Sequence, residues 1–201
     1  MDLTLSVFSN NISSVLRIYR DSEKIRLKNK NELLEKLEKD VKLTSSEFEQ
    51  LSHYDSHFEW LLIHSLFISA YSYLENFMFS IAQQVEKNTK SEIKLNDIRG
   101  KGDLDRYRKY INKIVEIEKA KNDYENWNQI SEFKAIRNSI IHKYGVMDKK
   151  INLIKKYDLY FGPSKKMIRI KNVKFLEDFC ALSIEYMNEI VNEIKEKNYS
   201  S

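Results

Sequence analysis

The stretch Phe58–Ala82, FEWLLIHSLFISAYSYLENFMFSIA, decides how this chain folds. It is the most apolar window in the sequence and long enough to cross a bilayer. It also carries Glu59, His64, Glu75 and Asn76, groups that are costly in hydrocarbon. We therefore expect a helix buried on several sides within a protein, not a membrane span.

The composition points the same way. Apolar residues make up 42% of the 201, enough to bury a real core, whereas Gly (4) and Pro (1) are too scarce for the many turns of a sandwich or barrel. Long helices are expected. The single Cys180 excludes a disulfide framework and a cysteine-based zinc site, and suits a reducing compartment. The opening MDLTLSVFSNNISS has neither a basic n-region nor a small-residue cleavage site, so we expect a cytoplasmic protein.

Outward from the apolar stretch, periodicity divides one domain, 1–201, into four parts. Leu5, Phe8, Ile12, Val15, Leu16 and Tyr19 recur at helical spacing, and KNKNELLEKLEKD continues that helix or forms a second, making 1–43 an N-terminal helical arm. Thr44 with Glu47, or Ser46 with Glu49, can form a capping box that opens a helix running to about Lys87. After a loop with two glycines, Leu104, Tyr107, Ile111, Ile114 and Val115 mark a short helix. Trp127, Ile130, Phe133, Ile136, Ile140 and Ile141 mark another, which Gly145 can stop in a left-handed conformation. These elements make up a core of 44–145. YDLYFGPSKKMIRI reads as a β-hairpin within a basic segment, 146–171. Asn172 can cap a last helix, 172–201, with Phe175, Phe179, Leu182, Tyr186 and Ile190 inward. The predicted class is all-α, a bundle of long antiparallel helices with a small hairpin before the C-terminal helix.

Net charge is modest at +4 but unevenly spread. Between Lys143 and Lys174 ten lysines and arginines face two aspartates, and from Phe175 onward six acids face two lysines. Such runs are commonly a solvated loop and a solvated acidic helix face. Following RNSIIHKYG, Arg137–Gly145, the basic run also reads as a patch that attracts a polyanion.

That motif contains a conflict. At 100° per residue, Arg137 falls near the middle of the arc set by Ile130, Phe133, Ile136, Ile140 and Ile141, with Tyr144 in the same direction. Asn138 and His142, four apart, line one edge of the arc. An unpaired buried guanidinium is costly, so Arg137 needs a partner, for which Glu75 is the natural candidate, or an opening. In an opening it would bind phosphate through paired hydrogen bonds, while a histidine exchanges protons near neutral pH. With a ribose 2′-hydroxyl as internal nucleophile, those two residue types can cleave RNA without a metal.

RNSIIHKY resembles the R-x4-H motif of the HEPN superfamily, with a polar residue after the arginine and the trailing tyrosine of the R-x4-H-x-Y toxins. The resemblance covers about residues 45–145 as an architecture and eight residues as a motif. It implies a helical bundle that forms a homodimer, with two motifs meeting in a composite RNA-cutting site. Arg137 and His142 would then be catalytic, supported by Asn138, with Tyr144 beside the site and Glu75 in reach of it. Lys143, Lys149, Lys150, Lys165 and Lys166 would hold RNA. The implied activity is a metal-independent endoribonuclease, a toxin or antiviral-defence effector. It needs no cofactor, and its partner would be an antitoxin or defence protein, with a nucleotidyltransferase as candidate. The alternative is a non-catalytic helical module of the same kind that binds a nucleotide or a protein, with Arg137 in a structural ion pair.

Other constellations are weaker. His53, His57 and His64 line one strip near Trp60, but no complementary ligands complete a zinc site. Tyr71, Tyr73, Phe77 and Phe79 read as core, and RGKGD as a plain turn without a Walker lysine. No nucleophile elbow or Ser/His/Asp pattern is present.

Overall fold

A computed structural model describes residues 2–89, 91–147, 151–162 and 167–197. The order of elements is α1 (Asp2–Glu38), α2 (Ser45–Ser56), α3 (Phe58–Asn88), α4 (Asp103–Val115), α5 (Glu125–His142), α6 (Ile151–Lys156), β1 (Tyr160–Phe161), β2 (Ile168–Arg169) and α7 (Val173–Glu196). Single 3-10 turns interrupt the two long connectors at Leu95–Asp97 and Glu118–Ala120. The chain is mostly helical, with one antiparallel two-stranded hairpin before the last helix. Among the described residues, no helix is long and apolar enough to cross a membrane.

The apolar stretch forms α3, and α1, α2, α4, α5 and α7 all pack against it. Ile63, Phe67, Ala70, Leu74, Met78 and Ile81 on α3 are completely or almost completely inaccessible to solvent, which explains why apolar residues occur on several of its sides. Glu59 and Glu75 sit half-buried at its margins, and Tyr73 is exposed. The first half of α1 belongs to the same core: Phe8, Ile12, Val15 and Tyr19 are buried, and Phe8 stacks on Phe77 at 4.6 Å. Only the second half of α1 projects as an arm. There Leu33 packs with Leu51 and Tyr54 of α2 as a satellite cluster.

The sequence suggested one unbroken helix from the capping box to Lys87. The capping box is present, with the Thr44 hydroxyl accepting from the Glu47 amide and Glu47 accepting from the Thr44 amide. The helix, however, breaks at His57, whose backbone leaves the helical region (φ −124°). Local polar bonds cluster at the break. The Ser56 hydroxyl bonds back to the Ser52 carbonyl and lies 2.6 Å from His57 Nδ1, while the Trp60 indole donates to the Ser56 carbonyl.

Four phenylalanines join the helices that carry the motif. Phe67 of α3, Phe133 of α5, and Phe175 and Phe179 of α7 meet with centroid separations of 4.9 to 6.2 Å, mostly edge-on or tilted. Tyr157, just after α6, adds a ring 4.7 Å from Phe133 and donates its hydroxyl to Glu132 at 2.6 Å. The acidic face of α7 is not simply solvated. Glu193 accepts from the Glu118 and Lys119 amides, and Glu189 from the Tyr124 hydroxyl and Asn126 amide, fixing the connector that leads into α5.

Phe133→Ala is expected to destabilise the chain by about 3–5 kcal/mol, the usual cost of emptying a well-packed aromatic site. Urea unfolding measures it, and a loss below about 1 kcal/mol would show that the ring cluster does not hold α5 in place.

Candidate functional site

The motif occupies the last turn of α5 and its exit. Ser139 is buried and anchors that exit: its carbonyl accepts from the Lys143 and Gly145 amides, and its hydroxyl donates to the Val146 carbonyl at 2.9 Å. Tyr144 (φ 51°) and Gly145 (φ 81°) are both left-handed, so the helix ends as Gly145 suggested, with a second residue in the same unusual region. The chain then joins the hairpin. Val146 bridges to Met167, and the Ile168 amide donates to the Gly145 carbonyl at 2.9 Å. A side chain at Gly145 would approach the Ile168 carbonyl to 3.3 Å, so both backbone angle and space favour glycine.

His64 holds the other side of the hairpin. It is buried on α3, and its Nε2 accepts the Ile170 amide at 3.2 Å. Burial pulls its imidazole down to about 4, with Arg169 acting in the same sense. Trp60 lies edge-on to His64 at 5.3 Å and under Arg169 at 4.8 Å. The histidine strip is therefore divided in role: His53 and His57 stack on each other, exposed, and His64 is a neutral structural acceptor. No group of three or more potential metal ligands forms among the described residues.

Arg137 is half-buried, and its guanidinium lies 5.3 Å from the centroid of the Tyr71 ring. One Nη donates to Asn138 Oδ1 at 3.1 Å, while Nε is buried without a partner among the described residues. The Tyr71 hydroxyl is likewise buried and unpartnered, and burial, then the negative field of Glu75, pushes its phenol well up. Glu75 makes no ion pair with Arg137 among the described residues, so the structural partner suggested by the sequence is not engaged. Glu75 acts on Tyr71 through its field alone.

The other predicted residues separate. His142 ends α5 and is exposed, and no hydrogen bond links it to Arg137. Five residues apart, the two point about 140° away from each other around the helix. Tyr144 does not share the direction of Arg137, as the helical projection required, because the chain has left the helix by Lys143; it is 83% exposed. Ile141, expected inward, is also exposed. Lys143 is exposed beside them, whereas Lys149, Lys150, Lys165 and Lys166 lie outside the described residues.

A feature not foreseen flanks the motif. A groove of about 1040 Å³ runs between α4 and α5, with Asn138 and Lys143 on one wall and Lys101, Asp105 and Lys109 on the other. Beneath it Arg108, 1% exposed, donates to Asp105 (2.7 Å), to Asn122 (2.6 Å) and to the Ala120 carbonyl, and lies 4.2 Å from the centre of the Trp127 ring. Although burial opposes it, hydrogen bonds from Arg108 and from the Lys101 amide hold the Asp105 carboxyl at about 2. The i, i+3, i+4 spacing of Asp105, Arg108 and Lys109 was a readable signal for this network.

The His64 anchor makes stability pH-dependent. The unfolded imidazole titrates near 6.5 and the folded one at about 4, so below 6.5 the unfolded chain takes up the extra proton. Stability contributed by neutral His64 is complete above about pH 6.5 and is lost as pH falls toward 4. Comparing unfolding at pH 7.5 and 5.0, His64→Gln, which keeps an acceptor but does not titrate, should lose about 2 kcal/mol less than wild type. Equal losses in the two proteins would remove His64 as the source. Comparison of the chain with protein-family models, with curated proteins and with solved structures gives no match.

Proposed function

We propose that the chain is a metal-independent endoribonuclease of HEPN type, acting on RNA as a toxin or antiviral-defence effector. The observation that carries this reading is Arg137: a guanidinium on a largely apolar helix face, half-buried, with no carboxylate bound among the described residues and its neighbour Asn138 opening into a basic groove. His142 stands exposed one turn further along the same helix.

Chemically, the pair is suited to transesterification. His142 takes the proton of a ribose 2′-hydroxyl, and the 2′ oxygen attacks the adjacent phosphorus. The bond to the 5′ oxygen breaks, and that oxygen receives a proton from a second imidazole. The products are a 2′,3′-cyclic phosphate and a free 5′-hydroxyl. Arg137 stabilises the charge that develops on the phosphoryl oxygens. Because Arg137 and His142 of one chain diverge around the helix, the reading includes a homodimer in which facing motifs supply both groups. The exposed Ile141 and Tyr144 beside them supply apolar surface for such a contact. The second reading, a non-catalytic module that binds a nucleotide or a protein, is favoured by the contacts of Arg137 with Asn138 and Tyr71, which would suit a purely structural arginine.

Regulation follows from the exit turn. The phenol of Tyr144 is freely accessible, and a nucleotide attached there by a partner nucleotidyltransferase would place negative charge next to His142. Mass spectrometry of protein silenced by its antidote should find the adduct on Tyr144; an unmodified Tyr144 in fully inhibited protein rules this control out.

Defined RNAs incubated with EDTA should be cut, whereas DNA and 2′-O-methyl RNA should resist. Arg137→Ala or His142→Ala should each lower the rate by about 10²-fold or more. A mixture of the two variants should partly recover activity if the site is composite. Activity that EDTA abolishes, or that leaves 3′-hydroxyl ends, would falsify the mechanism.

A further inference from the structure

The groove between α4 and α5 is more cationic than the local fold requires. Its lining holds Lys101, Lys109, Lys134 and Lys143 and a single acid, Asp105. That acid is already occupied by Arg108, by Lys109 at 2.9 Å and by the Lys101 amide. Among the described residues, the ammonium groups of Lys101 and Lys143 have no carboxylate partner, and Lys134 bonds only to the Lys101 carbonyl. Burial holds the Lys134 ammonium below its ordinary value; the fields of Asp105 and Glu75 work against that lowering, and Arg137 adds to it. Repelling charges held together at the mouth of a cleft are relieved by a bound anion.

The cleft also indicates which anion. At about 1040 Å³ it lies at the top of the small-ligand range, about 300–1000 Å³, so it holds a short run of nucleotides and excludes a duplex. Asn138 and Lys143 belong both to the groove wall and to the motif, so an occupant is continuous with Arg137 and His142. Trp127 lines the floor but is only 6% exposed and already lies against Arg108, which leaves no open ring on which a base could stack. The lining amides Asn122 and Asn138 already accept from Arg108 and Arg137 through Oδ1, so the lining offers mainly point charges for phosphates.

We infer that this groove carries the phosphate backbone of a single strand leading to the motif, so that the chain grips its substrate by length on the α4 side without reading its sequence there. The inference rests on the nuclease reading for the identity of the occupant, and its test does not depend on cleavage. The probe is a fluorescent 2′-O-methyl oligonucleotide of about 12 nucleotides, which the proposed chemistry cannot cut. Binding is followed by anisotropy across a salt series.

The triple variant Lys101→Gln, Lys134→Gln, Lys143→Gln is expected to bind at least about tenfold more weakly, with a salt slope shallower by about 2. The same change of net charge on the arm, Lys24→Gln, Lys28→Gln, Lys42→Gln, should leave affinity within about twofold. In the wild-type protein, bound oligonucleotide should protect Lys101, Lys134 and Lys143 from acetylation, a readout that survives if the triple variant fails to fold. Unchanged affinity in the groove variant, or unprotected groove lysines, overturns the inference. So does tighter binding of poly-glutamate than of the oligonucleotide, which would make the occupant an acidic protein segment. Groove-dependent binding together with uncut RNA would sink the nuclease reading and leave the groove standing.

Discussion

The motif helix is placed by the four-ring contact of Phe67, Phe133, Phe175 and Phe179. α5 has polar and charged residues over much of its surface, and its apolar face is interrupted by Arg137, so its own amphipathicity docks it weakly. Phe133 compensates by entering a pocket made of rings from α3 and α7, elements more than sixty and forty residues away respectively. Because aromatic edges and faces fit in few arrangements, the contact sets rotation about the helix axis as well as distance. That rotation brings Arg137 over Tyr71 and turns His142 to solvent.

Around this contact the polar groups act as ties between segments. Glu189 and Glu193 of α7 hold the connector into α5, and Arg108 holds the same connector from beneath the groove. A buried arginine with one close carboxylate adds little net stability, because its desolvation cost offsets most of the attraction. Its effect is on geometry. Its three acceptors, Asp105 on α4 and Ala120 and Asn122 on the connector, fix where the wall of the groove stands relative to the motif.

Much of the fold was legible in the residues. The period of Phe175, Phe179, Leu182, Tyr186 and Ile190 identified α7, Thr44 with Glu47 identified a helix start, and alternation around Gly162 identified the hairpin. These signals are local, set by spacing and caps within a few residues. The break at His57 leaves the apolar period unchanged, so periodicity alone does not show it. At the site, the oddity of Arg137 was readable, but its surroundings were not. Projection around an ideal helix placed Tyr144 beside it, and Glu75 was the candidate for an ion pair, whereas the helix ends two residues earlier and Glu75 makes no ion pair with it among the described residues. Of the groove lysines only Lys143, within the motif, stood out in the sequence, because the set spans 42 residues from first to last and converges only when α4 packs beside α5.

The exit turn also bears on the balance between durability and activity. A tyrosine at φ 51° is held against its own backbone preference, a strain of about 1–2 kcal/mol that glycine would escape. With 83% of its surface in solvent, the ring gains no burial that offsets this. Were persistence of the fold the sole demand, asparagine or glycine would serve better at this place. Relief of that strain by glycine would therefore leave the buried core untouched.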